Sequence, residues 1–453
     1  MEYTSTRGQS KNLTFSEAVS EGLAPDGGLY IPASIPDISG KLEQWEGLGY
    51  ADLCFEFLKL FADDIPEADL RKIVDSSYTR FDDPAIAPLR KLDNGLYLLE
   101  LFHGPTLAFK DFALQFVGSL YEYLLSKSGK KINVLGATSG DTGSAAINGL
   151  LGKKNVNIFI LYPEGRVSPL QERQMTCTSA DNVFPIAIHG TFDDAQAIVK
   201  SLFGDLEFKS KWNLSAVNSI NLARILAQCV YYVYAWLNLP KQERNNVMFV
   251  VPTGNFGNVF AGWLARKAGL PVKEFRVATN QNDILYKLFN SGVYEVSTVE
   301  PSYAPSMDIQ VSSNFERFLY YFLNGDTAKV REIMSAFKRE GKWVFDSFKT
   351  EEFSASRMSD SEISETIAKV YKELGVVVDP HTACAFKDLP ADCTKVLLST
   401  AHSAKFPELI EKTLSVHPTS ESLEKLLNKQ IVKTIEDADA SKIRSFIEAN
   451  GIM

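Results

Sequence analysis

Ile132-Asn-Val-Leu135 runs into Gly136-Ala-Thr-Ser-Gly-Asp-Thr-Gly143, a helical stretch begins at Ser144, and Val156-Asn-Ile-Phe-Ile-Leu161 follows. Short apolar runs bounded by turn residues read as buried strands, and a helix between two of them makes a βαβ unit. The same order recurs at Val247-Met-Phe-Val-Val251, the loop Pro252-Thr-Gly-Asn-Phe-Gly-Asn258 and an apolar helix through Phe260, Trp263 and Leu264. A third strand, Val396-Leu-Leu398, ends in Ser399-Thr-Ala-His-Ser-Ala404 before another helix. Strands alternating with helices imply an α/β fold built on open, mostly parallel sheets with flanking helices.

Upstream of the first unit, His103-Gly-Pro-Thr-Leu-Ala-Phe-Lys110-Asp111-Phe112 sets one lysine among Leu107, Phe109, Phe112, Leu114 and Phe116, after a turn at Gly104-Pro105. Such a lysine is either a stem lying along a core with its ammonium in water, or an amine desolvated enough to act as a nucleophile. A helix through Phe116, Leu120 and Leu124 follows it. Nearer the amino terminus, Thr14-Phe-Ser-Glu17 has capping-box spacing and predicts a short helix ending near Gly22. Leu29-Tyr-Ile31 predicts a short strand running into Pro32, and residues 50–80 read as helical, with Leu53, Phe57, Leu60 and Phe61 on one stripe.

At 453 residues the chain is long enough for two or three domains with substantial cores. We divide it into an N-terminal segment over 1–95, an α/β domain over 96–225 carrying Lys110, and an α/β domain over 226–453. The last holds a helical insertion at about 280–375. The tail after Phe406, with Ile443, Phe446 and Ile447 at helical spacing, reads as a packing element. A net charge of −9, without any basic block, argues against a nucleic-acid-binding surface. No apolar run approaches the roughly 20 residues of a membrane span, and Met1-Glu-Tyr-Thr-Ser-Thr-Arg7 has no apolar signal region. The expected setting is cytoplasmic. Five cysteines without zinc-like pairing indicate neither a disulfide framework nor a metal site.

Ligands of parallel sheets bind where strands end and helices begin, and a helix start favours an anion. The Gly254-Asn-Phe-Gly257-Asn258 loop is the best phosphate cradle, and Ser139-Gly-Asp-Thr142-Gly143 suits a substrate carboxylate or phosphate equally well. Neither has the spacing of a nucleotide P-loop or of a dinucleotide fingerprint. A desolvated lysine, an anion cradle and no metal or redox residues together suggest pyridoxal 5′-phosphate.

At this point the chain resembles a family. His103-Gly-Pro-Thr-Leu-Ala-Phe-Lys-Asp111, Ser139-Gly-Asp-Thr-Gly143 and Gly254-Asn-Phe-Gly-Asn258 are similar to the signatures of the threonine synthase family. Those are fold type II, tryptophan synthase β-like, pyridoxal-phosphate enzymes. Ala24-Pro-Asp-Gly-Gly-Leu-Tyr-Ile-Pro32, Gly190-Thr-Phe-Asp-Asp-Ala195 and Ser306-Met-Asp-Ile-Gln-Val-Ser-Ser-Asn-Phe-Glu-Arg317 resemble other family segments, most like the fungal and enterobacterial branch.

The resemblance implies that Lys110 is the Schiff-base lysine and that Gly254, Asn255, Phe256, Gly257 and Asn258 hold the cofactor phosphate. Thr400 is implied to face the pyridine nitrogen. Asp141 stands where related enzymes often carry an Asn bonded to the cofactor's 3′-oxygen, a bond an ionised Asp could not donate. Ser139, Thr142, Asn218, Ser219 and Arg224 are implied to bind substrate, the last with a guanidinium suited to phosphate. The implied reaction takes O-phospho-L-homoserine and water to L-threonine and phosphate by γ-elimination and β-addition, the last step of threonine biosynthesis. A phospho-lyase releasing 2-oxobutyrate and a non-catalytic metabolite-binding protein are the alternatives. The implied partner is a small molecule, with no nucleic acid or membrane, and the protein a monomer or homodimer. His103, His381 and His402 have structural readings beside catalytic ones, and Asp308 with Ser312-Ser-Asn314 is expected to make lid contacts.

Overall fold

Two sheets take up the apolar runs, one in each of the two compact units into which the chain folds. The computed structural model describes residues 1–216, 219–348 and 350–453. The first unit comprises Met1–Arg71, Phe81–His103 and Ser219–Pro418; the second comprises Lys72–Arg80, Gly104–Asn218 and Thr419–Met453. These segments interleave, whereas the spans 1–95, 96–225 and 226–453 are contiguous. The difference arises because strands far apart in sequence pair with one another.

The first unit is built on a six-stranded sheet in the order Phe353–Arg357, Glu274–Thr279, Val247–Pro252, Thr394–Ser399, Leu96–Glu100 and Leu89–Asp93. All neighbours are parallel except the last pair, a hairpin turning at Asn94-Gly95. Val247–Pro252 and Thr394–Ser399 are wholly buried and pair directly, so their carboxyl ends lie side by side. One face of the sheet packs Leu98, Val250, Ala278 and Leu397 against Ile363, Ile367, Val370 and Ile410. The region about 280–375 is largely helical, but it is not only an insertion, because Phe353–Arg357 returns to the sheet as its edge strand. The capping box at Thr14 starts the Phe15–Glu21 helix, which ends at Gly22 with φ 73°, as the spacing predicts. Helices Tyr50–Leu58 and Glu67–Tyr78 lie within the stretch read as helical over 50–80, but residues 59–66 break it, so Leu60 and Phe61 sit in a turn and not on the first helix's stripe.

The second unit is built on a five-stranded parallel sheet in the order Thr434–Asp437, Val183–His189, Val156–Pro163, Ile132–Ala137 and Leu214–Ala216. Helices Lys110–Ser128 and Asp141–Leu150 pack together, and Gly149 lets them close: a Cβ there would stand 2.3 Å from the Leu114 carbonyl oxygen. The tail reads correctly as packing. Ile443 and Ile447 of the Ala440–Asn450 helix join Leu135, Phe159, Ile186 and Trp212 in this unit's core. The chain end adds two bonds, from Asn133 Nδ2 to the Ile452 carbonyl and from the Ile452 amide to Asn133 Oδ1. Among the described residues no helix is long and apolar enough to cross a membrane.

Candidate active site

In the second unit, Gly104-Pro-Thr-Leu-Ala-Phe109 turns immediately before the Lys110–Ser128 helix. Leu107 takes φ 58°, and its amide donates to the Gly104 carbonyl. Asp111 holds the turn by accepting from the Thr106 amide at 2.8 Å and the Thr106 hydroxyl at 2.7 Å. Gly104 is required here, since a Cβ on it would meet the Asp111 side chain at 2.5 Å. The turn delivers Lys110 as the first residue of the helix, 8% exposed, with its ammonium 5.6 Å from the Phe109 ring centre.

Lys110 Nζ donates to Asp141 Oδ2 at 3.4 Å. Asp141 opens the Asp141–Leu150 helix, where a carboxylate is favoured by the dipole. Its Oδ1 accepts from Gln171 Nε2 at 3.0 Å. Gln171 is oriented by its own role in a capping box, its Oε1 accepting from the Ser168 amide. Asp141 is therefore an acceptor for two donors, which accounts for an Asp rather than an Asn at this place. The preceding loop is shaped by Thr138, whose hydroxyl oxygen accepts the amides of Gly140 at 3.0 Å and Gly143 at 2.8 Å. Ser139 is exposed and Thr142 half-buried at the helix start, where first-turn N–H groups have no carbonyl partner within the helix.

In the first unit, Val247–Pro252 feeds the 254–258 loop and the Gly257–Lys267 helix. Phe256 sits at φ 64°, a conformation costly for a bulky residue, and its ring packs near Phe289, Phe315, Phe318 and Phe353 at 5.8 to 6.1 Å. Burial of that ring holds the strained backbone, so Phe256 can serve a ligand only through its main chain. Gly254 is pressed on by Ser306 and Met307, whose carbonyl oxygen and Cα would stand 3.1 and 3.2 Å from a Cβ. Ser312 Oγ donates to the Gly254 carbonyl at 2.6 Å, Ser313 Oγ to Asn255 Oδ1 at 3.2 Å, and the Asn314 amide to the Asn255 carbonyl at 3.0 Å. The 312–314 run thus clamps the loop.

Asn258 supplies a directed donor. Its Oδ1 accepts from the Tyr231 hydroxyl at 2.5 Å and the Tyr232 hydroxyl at 2.8 Å, so Nδ2 points the other way. That nitrogen is buried and has no partner among the described residues. Burial keeps both phenols protonated, their pKa values raised well above the usual tyrosine value. An orphaned amide donor at the start of an 11-residue helix suits an anion. Thr400, 5% exposed, follows the neighbouring strand Thr394–Ser399.

Arg224 lies in the first turn of the Leu222–Asn238 helix, and burial pulls its pKa down to about 10. Ser219 Oγ is 2.9 Å from Ser313 Oγ, and its carbonyl accepts from Asn314 Nδ2 at 3.0 Å. The fully buried Arg317 braces this corner, donating to Asn314 Oδ1, the Ile220 carbonyl and the Tyr30 carbonyl. Asn218 lies outside the described residues. The second unit thus brings Lys110 to Asp141, and the first joins Ser219 to the 254–258 loop.

Asp308 belongs to a packing network. Its carboxylate accepts from Asn280, Asn282 and Ser302, while burial outweighs those bonds and raises its pKa. His103 sits between Asp82 and Glu100, each 2.9 Å from a ring nitrogen. Burial lowers its pKa, but those two carboxylates outweigh burial and raise it above the usual value. His402 is shifted the opposite way, chiefly by burial and then by the charge of His103. Sequence reading missed Gln171, Tyr231, Tyr232 and Arg317. Gln171 carries one local sign, the Ser168-Pro-Leu-Gln171 capping box, Arg317 only its place at the end of the 306–317 segment, and the two tyrosines none.

Residues 2–78 match the family described as threonine synthase N terminus, 83–396 that of pyridoxal-phosphate dependent enzymes, and 378–447 that of threonine synthase, C-terminal. The chain is 46% identical to threonine synthase of Schizosaccharomyces pombe, over 91% of this chain and 89% of that one. It is 45% identical to that of Pseudomonas aeruginosa, over 100% and 99%. A crystal structure of pyridoxal-phosphate-bound threonine synthase from Brucella melitensis superposes with a TM-score of 0.97 at 42% identity, each chain covered completely.

Proposed function

From the premise that this chain belongs to the threonine synthase family, a family of pyridoxal-phosphate-dependent lyases in threonine biosynthesis, we propose that its substrate is O-phospho-L-homoserine. The products are then L-threonine and phosphate. The observation that carries the reading is Lys110 itself, buried at a helix start and hydrogen-bonded to the carboxylate of Asp141.

Bound pyridoxal phosphate supplies an aldehyde that condenses with amines and a ring that withdraws electrons from the carbon next to the bound nitrogen. We assign its phosphate to the backbone of residues 254–257 and to Asn255 and Asn258. The orphaned Asn258 Nδ2 and the clamped loop support that assignment. Thr400 would hold the ring nitrogen through its hydroxyl. Lys110 would hold the aldehyde, and its amine, when free, would be a base able to move protons at Cα and Cβ of the substrate in successive steps. Asp141, oriented by Gln171, holds the lysine head on that side.

We assign the substrate to Ser139, Thr142, Asn218, Ser219 and Arg224. Arg224 is the cation for the departing phosphate, and the desolvation that depresses its pKa strengthens its attraction for a dianion. We place the protein in the cytoplasm, acting on a small molecule as a monomer or homodimer. Incubating the pure protein with pyridoxal phosphate and O-phospho-L-homoserine tests the reading. Threonine and phosphate in equal amounts are expected, and 2-oxobutyrate as the main product would convert the assignment to a phospho-lyase. Formation of neither threonine nor 2-oxobutyrate would refute both readings.

A further inference from the structure

Asp379-Pro-His-Thr382 has no part in the roles assigned above, yet it is among the best-shielded polar clusters of the first unit. Asp379 and Thr382 are fully buried and His381 is 3% exposed. One carboxylate serves two branches. Asp379 Oδ1 accepts from the His381 amide at 2.9 Å and from His381 Nδ1 at 2.8 Å. A proton held on Nδ1 leaves Nε2 with a lone pair, and it accepts the Ser306 amide at 3.2 Å. Asp379 Oδ2 accepts from the Thr382 hydroxyl and amide. With its own proton committed to Asp379, the Thr382 hydroxyl accepts the Thr400 amide at 3.3 Å and lies 3.2 Å from Ser399 Oγ.

The branches end at two parts of one site. Ser306 and Met307 form the wall pressed against Gly254 at the head of the 254–258 loop, and Thr400 directly follows the adjoining strand. We propose that Asp379 is a positioning residue for the pyridoxal phosphate site, fixing the phosphate loop through His381 and the ring-nitrogen partner through Thr382. The inference rests on the cofactor assignment made under Proposed function. A carboxylate suits this post because it accepts on both oxygens. A carboxamide would turn an N–H toward either His381 or Thr382 and break one branch.

Branch-specific variants of the cofactor-loaded protein test it. Thr382→Val keeps the shape and removes the hydroxyl. It is expected to move the visible absorption maximum and leave the ³¹P resonance of the bound phosphate in place, while Thr382→Ser restores the wild-type spectrum. His381→Phe keeps a ring against Phe406, now 5.2 Å away, and removes both nitrogens. It is expected to move the ³¹P resonance, weaken cofactor binding about tenfold and leave the visible band in place. His381→Gln and Thr382→Ala stand in for a variant that does not fold. Folded variants with wild-type affinity and both signals unmoved would overturn the inference, as would variants that move both signals alike. Wild-type protein that shows no visible band with pyridoxal phosphate would overturn the cofactor assignment itself, and this inference with it.

Discussion

The 254–258 loop and the 139–143 loop hold the same topological place in their two sheets, each joining a buried parallel strand to a helix, yet they are secured by different forces. The first is locked from below by an aromatic cluster around Phe256 and from the side by bonds from residues 312–314. The second depends on the Thr138 hydroxyl and on polar contacts around Gly140, and its Ser139 is exposed. Aromatic burial is non-directional and large, whereas one neutral hydrogen bond nets about 1 kcal/mol. The contrast divides the labour: a stiff cradle suits a ligand that stays, and a loop held by hydroxyls suits one that turns over.

Breaking the link between the second loop and the chemistry has the largest expected effect. Lys110→Ala removes the amine hydrogen-bonded to Asp141, the base of the proposed mechanism, and threonine formation should fall by at least about 10³-fold. The visible band should vanish as well. Next, Phe256→Ala should destabilise the protein by about 3 to 5 kcal/mol in urea unfolding and weaken cofactor retention, because the strained loop loses its anchor. Thr138→Val should cost only about 2 kcal/mol through two lost acceptor contacts, and it should raise KM for phosphohomoserine more than it alters cofactor binding. An equal stability loss for Phe256→Ala and Thr138→Val would erase the contrast between the loops.

The smallest effect serves as a control outside both loops. His103 has a raised pKa in the folded state, so its pairing with Asp82 and Glu100 contributes stability that is fully present below the unfolded histidine value of about 6.5. That contribution is lost as pH rises through the folded value. The deficit of His103→Gln in urea titrations should accordingly be larger at pH 6 than at pH 9, with the visible spectrum unchanged at either. A spectral change would implicate His103 in the site.

Much of this was readable because the decisive segments are local. Val156–Pro163 and Val247–Pro252 are continuous apolar runs, and Gly254-Asn-Phe-Gly-Asn258 declares its loop by composition. Lys110 stood out because a lysine among phenylalanines invites an explanation. Other strands concealed themselves. Glu274–Thr279 and Phe353–Arg357 mix charged and apolar residues, as strands toward a sheet edge can, and Pro185 interrupts the pattern of Val183–His189. The interleaving of the two units depends on pairings such as Thr434 with Ile186, which no local pattern encodes. Gln171, Tyr232 and Asp379 escaped notice for a related reason: each is commonplace by type and gains meaning only from a partner brought near by the fold.

The return of residues 434–452 to the second unit also sets an order of events during synthesis. The strands carrying the Asp141 loop leave the ribosome early, but the edge strand Thr434–Asp437, the core residues Ile443 and Ile447 and the Ile452 bonds to Asn133 arrive last. At ordinary elongation rates of about 5 to 20 residues per second, the incomplete sheet waits on the order of 10 to 40 s for its final strand. During that interval the flank of Val183–His189 is an open template for another chain, which makes the nascent polypeptide, more than the finished protein, the species in need of a chaperone.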